Sequence, residues 1–128
     1  MTDPMEILEI ICESYQSSVS ANDSNAYAEQ FAHDAIRLPP GGKPEFGPDQ
    51  IRRNEQRDYD DATWTIEVRP VHAMRIDDDW VYGVAETDIT LVANSDGSKK
   101  TMTANKGWLI NHQADGEWRI KRAMWNYQ

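Results

Sequence analysis

Polar residues that could do chemistry recur at even-numbered positions along the second half of this chain: His72, Glu86, Asp88, Lys106, Arg122 and Asn126. Each sits in a stretch where apolar residues alternate with a period of two, so the pattern puts them among apolar neighbours. A carboxylate or imidazole in such surroundings is desolvated and can move a proton near neutral pH. His72 and Asp88 are therefore the candidates for proton transfer. Glu86 and Lys106 fall opposite each other, where they either close on themselves as a structural ion pair or serve a pocket. Arg122 and Asn126 suit an acidic or carbonyl group on a ligand, and Trp108 and Met124 complete the ligand-binding set.

The elements that must position these residues are four extended runs, Thr63 to Ile76, Trp80 to Val92, Lys99 to Gln113 and Glu117 to Tyr127. Asp77-Asp78-Asp79, Asn94-Ser95-Asp96-Gly97 and Ala114-Asp115-Gly116 separate them, and Asp, Asn and Gly supply hairpin turn conformations. Folding this meander puts Met74, Tyr82, Ile110 and Ile120 in one apolar row. The next rows are His72, Val84, Trp108 and Arg122; then Pro70, Glu86, Lys106 and Met124; then Val68, Asp88, Ala104 and Asn126. All even-numbered positions are expected on the inner face, because a one-residue slip would turn each apolar set outward. The odd face, with Ala73, Gly83, Ala85, Gly107 and Ala123 flanked by Arg75, Arg119 and Lys121, reads as an outer surface suited to a second subunit.

The first half reads as helical. Asp3 before Pro4, with Glu6 in the first turn, opens a helix that carries Ile7, Leu8, Ile11, Cys12, Tyr15 and Val19 on one stripe. A polar break from Ser20 to Ser24 caps a second short helix with Tyr27, Ala28 and Phe31, and Ala35 to Leu38 reads as a brief strand. A third helix from Gly47-Pro48 to about Tyr59 has little apolar surface beyond Ile51 and Tyr59 and is expected largely in solvent. Helices followed by consecutive antiparallel strands make an α+β fold, a cone-shaped curved sheet packed against N-terminal helices.

With 128 residues the chain suits one domain spanning 1-128. A net charge of -9 and a pI near 4.7 argue against nucleic acid or an anionic membrane as partner, which leaves small molecules or proteins. Cys12 is the single cysteine, so no intrachain disulfide forms, and its helical neighbours make it a core thiol. Nothing resembles a signal peptide or a membrane span, and a cytoplasmic location is expected. His33, His72 and His112 lack metal-ligand spacing, and no nucleotide-binding glycine pattern or nucleophile elbow occurs. Neither metal nor cofactor is expected.

The segments Tyr27 to Ile51 and Gly107 to Asn126, the latter with Asp115-Gly116-Glu117-Trp118-Arg119-Ile120 inside it, resemble the nuclear-transport-factor-2-like superfamily in its SnoaL-like and ketosteroid-isomerase-like branch. The resemblance covers nearly the whole chain. It implies a cystatin-like cone with a pocket and a homodimer, and it is almost silent about the reaction. Laid on a ketosteroid isomerase, Tyr15 falls on the helix tyrosine that steadies the developing enolate oxygen, and it joins His72 and Asp88 as a catalytic candidate. Pro39 occupies the position of that enzyme's carboxylate base, so steroid isomerisation by that route is not expected; the second oxyanion donor falls near Asn105.

Two readings remain open on sequence. One is a protein that binds a small hydrophobic or aromatic molecule in the cone, with or without cofactor-free acid-base chemistry of the isomerase, cyclase or dehydratase type. The other is a non-catalytic dimerisation or ligand-sequestering module. A transport adaptor is the third possibility and would need an exposed hydrophobic patch.

Overall fold

A computed structural model describes residues 2–128. Helix α1 spans Pro4–Ser20; the Asp3 carboxylate accepts a hydrogen bond from the Met5 amide at 3.0 Å, and Ile7, Leu8, Ile11, Cys12, Tyr15 and Val19 form its buried stripe. Asp23 caps α2 (Ser24–Ala28) in the same way, accepting from the Ala26 amide at 3.0 Å. Strand β1 covers Phe31–Leu38, so it begins well ahead of the expected Ala35, and a two-residue strand β2, Glu45–Phe46, follows the proline-glycine loop. Gly47, at φ 81°, turns the chain from β2 directly into α3 (Gly47–Asp61), a conformation that favours glycine.

The four long strands are β3 (Ala62–Asp77), β4 (Trp80–Ala93), β5 (Lys99–His112) and β6 (Trp118–Tyr127). The sheet order is β2-β1-β6-β5-β4-β3, with β1 parallel to β6 and the other pairs antiparallel. Helices cover one face, the α+β cystatin-like arrangement expected from the element order. The core between α1 and the sheet contains Ile7, Leu8, Ile11, Val81, Ile110 and Ile120, each almost without solvent contact.

The inner face is not the even-numbered one throughout, and the reasons are local. In β3 a bulge at Val71 separates the pair Pro70–Ala85 from His72–Val84, so Ile66 and Val68 look inward while His72, Met74 and Ile76 look outward. The β4–β5 hairpin pairs Val92 with Lys99 and Tyr82 with Leu109, one residue off the expected match of Tyr82 with Ile110. This turns the odd positions of β4 inward: Val81, Ala85, Thr87 and Ile89 are buried. In β6 a bulge at Lys121 lies between the pairs Ile110–Ile120 and Leu109–Arg122, so Ile120, Ala123 and Trp125 face the helices while Arg122, Met124 and Asn126 face away.

The small residues Ala73, Gly83, Ala85 and Ala123, expected outside, therefore sit on the inner face, and Gly107 alone of that set faces outward. Their size has a packing cause. A Cβ on Gly83 would lie 2.6 Å from Leu8 Cδ1, so the missing side chain is what lets α1 lie close on the sheet. Helix α3 also departs from expectation: its charged flank meets solvent, but Ile51, Glu55 and Tyr59, spaced four apart, turn inward. Among the described residues, no helix is long and apolar enough to cross a membrane.

Candidate functional site

Lys106 is the only inward-facing lysine of β5, and its cross-strand partners leave it room. Ala85 stands opposite it on β4 and Ala104 precedes it on the same face, while Trp125 stands opposite on β6. Its amine lies 3.0 Å from Tyr15 Oη, 4.4 Å from the centre of the Trp125 ring and 5.1 Å from that of Tyr15. With 5% of its surface exposed, it pays a desolvation cost for every moment of positive charge; this lowers its pKa to about 7, and nearby Arg37 acts in the same direction against the attraction of Glu55.

Tyr15 Oη accepts from Lys106 and, at 3.2 Å, from Tyr27 Oη, which leaves its own hydrogen available for a further acceptor. Burial, with neighbouring Tyr27, pushes the Tyr15 hydroxyl well above its ordinary range, so it is a lasting neutral donor. Tyr27 in turn accepts from Arg37 Nη1 at 3.0 Å. Arg37 is 3% exposed and is clamped by the carboxylates of Glu45 and Glu55; Asn54 also binds Glu45. Desolvation works against the guanidinium charge, but the surrounding Tyr27, Glu45 and Glu55 outweigh it and keep it protonated. Four elements, α1, α2, β1 and α3, are thus tied to β5 through one polar chain, Lys106–Tyr15–Tyr27–Arg37–Glu55.

This chain borders a small chamber of about 50 Å³, lined by Tyr15, Trp64, Thr87, Lys106, Glu55 and Asp58 among others. Thr87 Oγ1 and Trp64 Nε1 are buried there with no hydrogen-bond partner among the described residues. Buried polar atoms are nearly always paired, so two orphans give the chamber unmet hydrogen-bonding capacity. A wider vestibule of about 280 Å³, bounded by Arg37, Pro39, Asn54 and Arg57, shares Asp58, Trp125 and Tyr127 with the chamber as lining residues. The Asp58 carboxyl meets solvent on its outer side; partial desolvation and then the charge of Glu55 push it up to about 6.

Of the residues expected at a site, Tyr15, Lys106 and Trp108 come together: Tyr15 and Trp108 rings are 5.1 Å apart and Trp108 is buried beneath them. The inward placement expected for His72, Glu86, Asp88, Arg122, Met124 and Asn126 is overturned by the two bulges and the hairpin register, and all six stand on the outer face. Glu86 does not face Lys106; hydrogen bonds from Gln128 at 2.8 Å and then Arg69 at 3.1 Å hold its carboxyl below the usual range, and Arg69 at 2.7 Å does the same for Asp88 with help from Thr103. His72 lies opposite Val84 on the same strand as Arg69, and among the described residues it makes no hydrogen bond to either acid. Arg122, Met124 and Asn126 border a shallow outer groove of about 440 Å³ with Tyr82, Val84 and Leu109.

Arg37, Glu45, Glu55, Asp58 and Thr87 were not expected at a site. Arg37 carried a usable signal, a charged residue on the same strand face as buried Ala35, which demands a partner. Glu55 carried another, its spacing of four from Ile51 and Tyr59. Nothing in the sequence marked Thr87, since its inward face depends on the hairpin register.

No family model matches the chain, and no curated protein matches it in sequence. Solved structures do match its fold. A ketosteroid isomerase-like protein from Erwinia carotovora superposes with a TM-score of 0.90 at 15% identity, covering 99% of this chain and 98% of that one. A cystatin-like domain of unknown function from Nostoc punctiforme gives 0.85 at 12% identity, with 100% and 79% covered. The hexachlorocyclohexane dehydrochlorinase LinA-type3 from Novosphingobium barchaimii gives 0.81 at 12% identity, with 96% and 85% covered. The chain has the cystatin-like fold of these proteins.

Proposed function

We propose that the chamber between α1, α3 and the sheet binds the polar end of a small molecule and that Lys106 and Tyr15 perform cofactor-free proton transfer there. The observation that supports this most is the Lys106–Tyr15 pair in a chamber with two unpartnered polar atoms. A neutral Lys106 amine can take a proton from carbon, Tyr15 can donate to the oxygen that gains charge, and solvent-exposed Asp58, which lines both chamber and vestibule, can exchange the proton with solvent. Isomerisation and elimination share this first step, and neighbours of the same fold are named for such chemistry. At about 50 Å³ the chamber admits only a small reactive group, so a flat apolar remainder lies in the vestibule against Trp125, Tyr127 and Pro39. His72 and Asp88 have no part in this proposal, because both stand across the sheet.

The test is an NMR titration of the full chain with a panel of small phenols, enones and ketones, following the indole N–H signals. Binding as proposed shifts Trp64 and Trp125 first, and Lys106→Met abolishes the shift. Shifts confined to residues of the outer groove would overturn the reading.

A second reading concerns assembly. Met74, Ile76, Tyr82 and Met124 are exposed on the outer face, and Val84 and Leu109 extend the same patch, which is the composition of an interface core. We infer a homodimer through this face, with the Arg69, Glu86 and Asp88 cluster at its rim. Light scattering on the wild type and on Tyr82→Arg checks it: a dimer that becomes a folded monomer supports the interface, and a wild-type monomer at working concentration removes it. A cytoplasmic location belongs to the same proposal and is open to cell fractionation.

A further inference from the structure

We propose that Lys106 is a carbonyl-capturing amine, condensing with a small aldehyde or ketone that enters past Asp58 to give an imine inside the chamber. This rests on the chamber reading above and adds a substrate class to it.

The geometry singles out this lysine. Its one polar partner among the described residues is a hydroxyl, Tyr15 Oη, and not a carboxylate. Lys121, by contrast, pairs with Asp34 at 2.9 Å, while Lys43, Lys99 and Lys100 stand in solvent. A buried amine without a carboxylate partner, flanked by the rings of Tyr15 and Trp125, is partly in its neutral, nucleophilic form at neutral pH, where the surface lysines are almost wholly charged. The other titratable groups near it are Tyr15 from α1, Glu55 and Asp58 from α3, Arg37 from β1 and Tyr127 from β6; β3 and β4 contribute none to the chamber. Glu55 is engaged by Arg37 and so does not hold the amine as its counter-ion.

The chamber also has what a carbonyl oxygen requires. Trp64 Nε1–H can only donate, Thr87 Oγ1 and Tyr15 Oη each have a hydroxyl hydrogen to give, and the first two have no partner. The amine lone pair forms a C–N bond as the C=O π pair moves to oxygen, which takes up the proton that the nitrogen releases, relayed by the Asp58 carboxyl, while Tyr15 donates a hydrogen bond to that oxygen. The resulting carbinolamine loses its hydroxyl as water after a second proton transfer, and the two nitrogen hydrogens and the carbonyl oxygen leave together as that one water molecule. No electrons are gained or lost. The iminium formed on protonation draws electrons from the adjacent C–H bond and prepares it for removal. Hydrolysis by the reverse sequence frees the lysine.

The experiment incubates the full chain at neutral pH with acetaldehyde, propanal or acetone in the presence of sodium cyanoborohydride, and maps alkylated lysines by peptide mass spectrometry. Lys106 is expected to be alkylated at least about tenfold faster than Lys43, Lys99 and Lys100. Lys106→Arg and Lys106→Met both leave only the slow surface reaction. Alkylation of Lys106 no faster than the surface lysines overturns the proposal. The NMR titration run with the same carbonyl compounds but no reductant separates the two readings: Trp64 shifts without Lys106 alkylation overturn imine formation and leave the chamber standing, and neither shifts nor alkylation overturns both.

Discussion

Replacing Lys106 by Met is expected to stabilise the protein at neutral pH and to lose that advantage as the solution becomes alkaline. In the unfolded chain this lysine titrates near the ordinary lysine value of 10.5, and in the folded chain at about 7. Between those limits the unfolded state binds a proton that the folded state does not, so stability rises with pH across that window. Below about 7 both states are protonated at this site and the cost is constant. At about 1.4 kcal/mol per unit, the full separation corresponds to roughly 5 kcal/mol of burial cost, and the side chain is deep enough that solvent screening reduces it little. The Met variant gives up the hydrogen bond to Tyr15 and the contact with the Trp125 ring, together worth about 1 to 2 kcal/mol. The net expectation is a gain of roughly 3 kcal/mol near pH ~7, falling by about 1.4 kcal/mol per unit toward pH ~10. Urea unfolding of both proteins across this range measures it, and titrating groups remote from the chamber cancel in the difference. A difference that stays flat with pH would refute a desolvated, partly neutral lysine, and with it the chemistry assigned to the chamber.

Removing the other buried cation should act in the opposite sense. Arg37→Met strands Glu45 and Glu55 in a partly dry site and is expected to cost about 3 to 5 kcal/mol in urea unfolding, with Arg37→Lys recovering little because one ammonium cannot reach both carboxylates in the forked geometry. Gly83→Val drives a side chain into Leu8 and should lower stability by about 1 to 3 kcal/mol, and Leu8→Ala in the same chain should restore part of the loss; a thermal melt reads both. The Cys12 thiol, pushed up to about 12 by burial and by the charge of Glu9, should react with a disulfide reagent only as fast as the protein unfolds, so its rate should track urea concentration.

The fold was legible because its signals are short-range. Asp3-Pro4 marked the first helix, three Asp, Asn and Gly clusters marked the hairpins, and alternation marked each of the four long strands within a residue or two of where it lies. The site was not, because face assignment is cumulative: an uncounted residue in a turn or a bulge inverts everything beyond it. The hairpin between Val92 and Lys99, the extra residue at Val71 and the extra residue at Lys121 are three such points. Lys106 and Trp108 were placed correctly because the hairpin shift cancels the one at Val71 and returns the even positions of β5 to the inner face. Apolar residues on the outer face hid the error, since Met74, Tyr82 and Met124 continue the alternation as convincingly as core residues do, and the small residues under α1 look, in sequence alone, like a surface.

The bulges at Val71 and Lys121 also divide the sheet into zones that answer to different demands. Upstream of Val71, strand β3 offers its even side chains to the chamber and its odd ones to solvent; downstream, the same spacing serves the opposite clients. Mutational tolerance along this strand should therefore change phase midway, with no change in composition to announce it. A single-codon deletion at Val71 would exchange exposed Met74 and Ile76 for half-buried Ala73 and Arg75, remodelling the support beneath α1 while leaving the amine-bearing strand untouched.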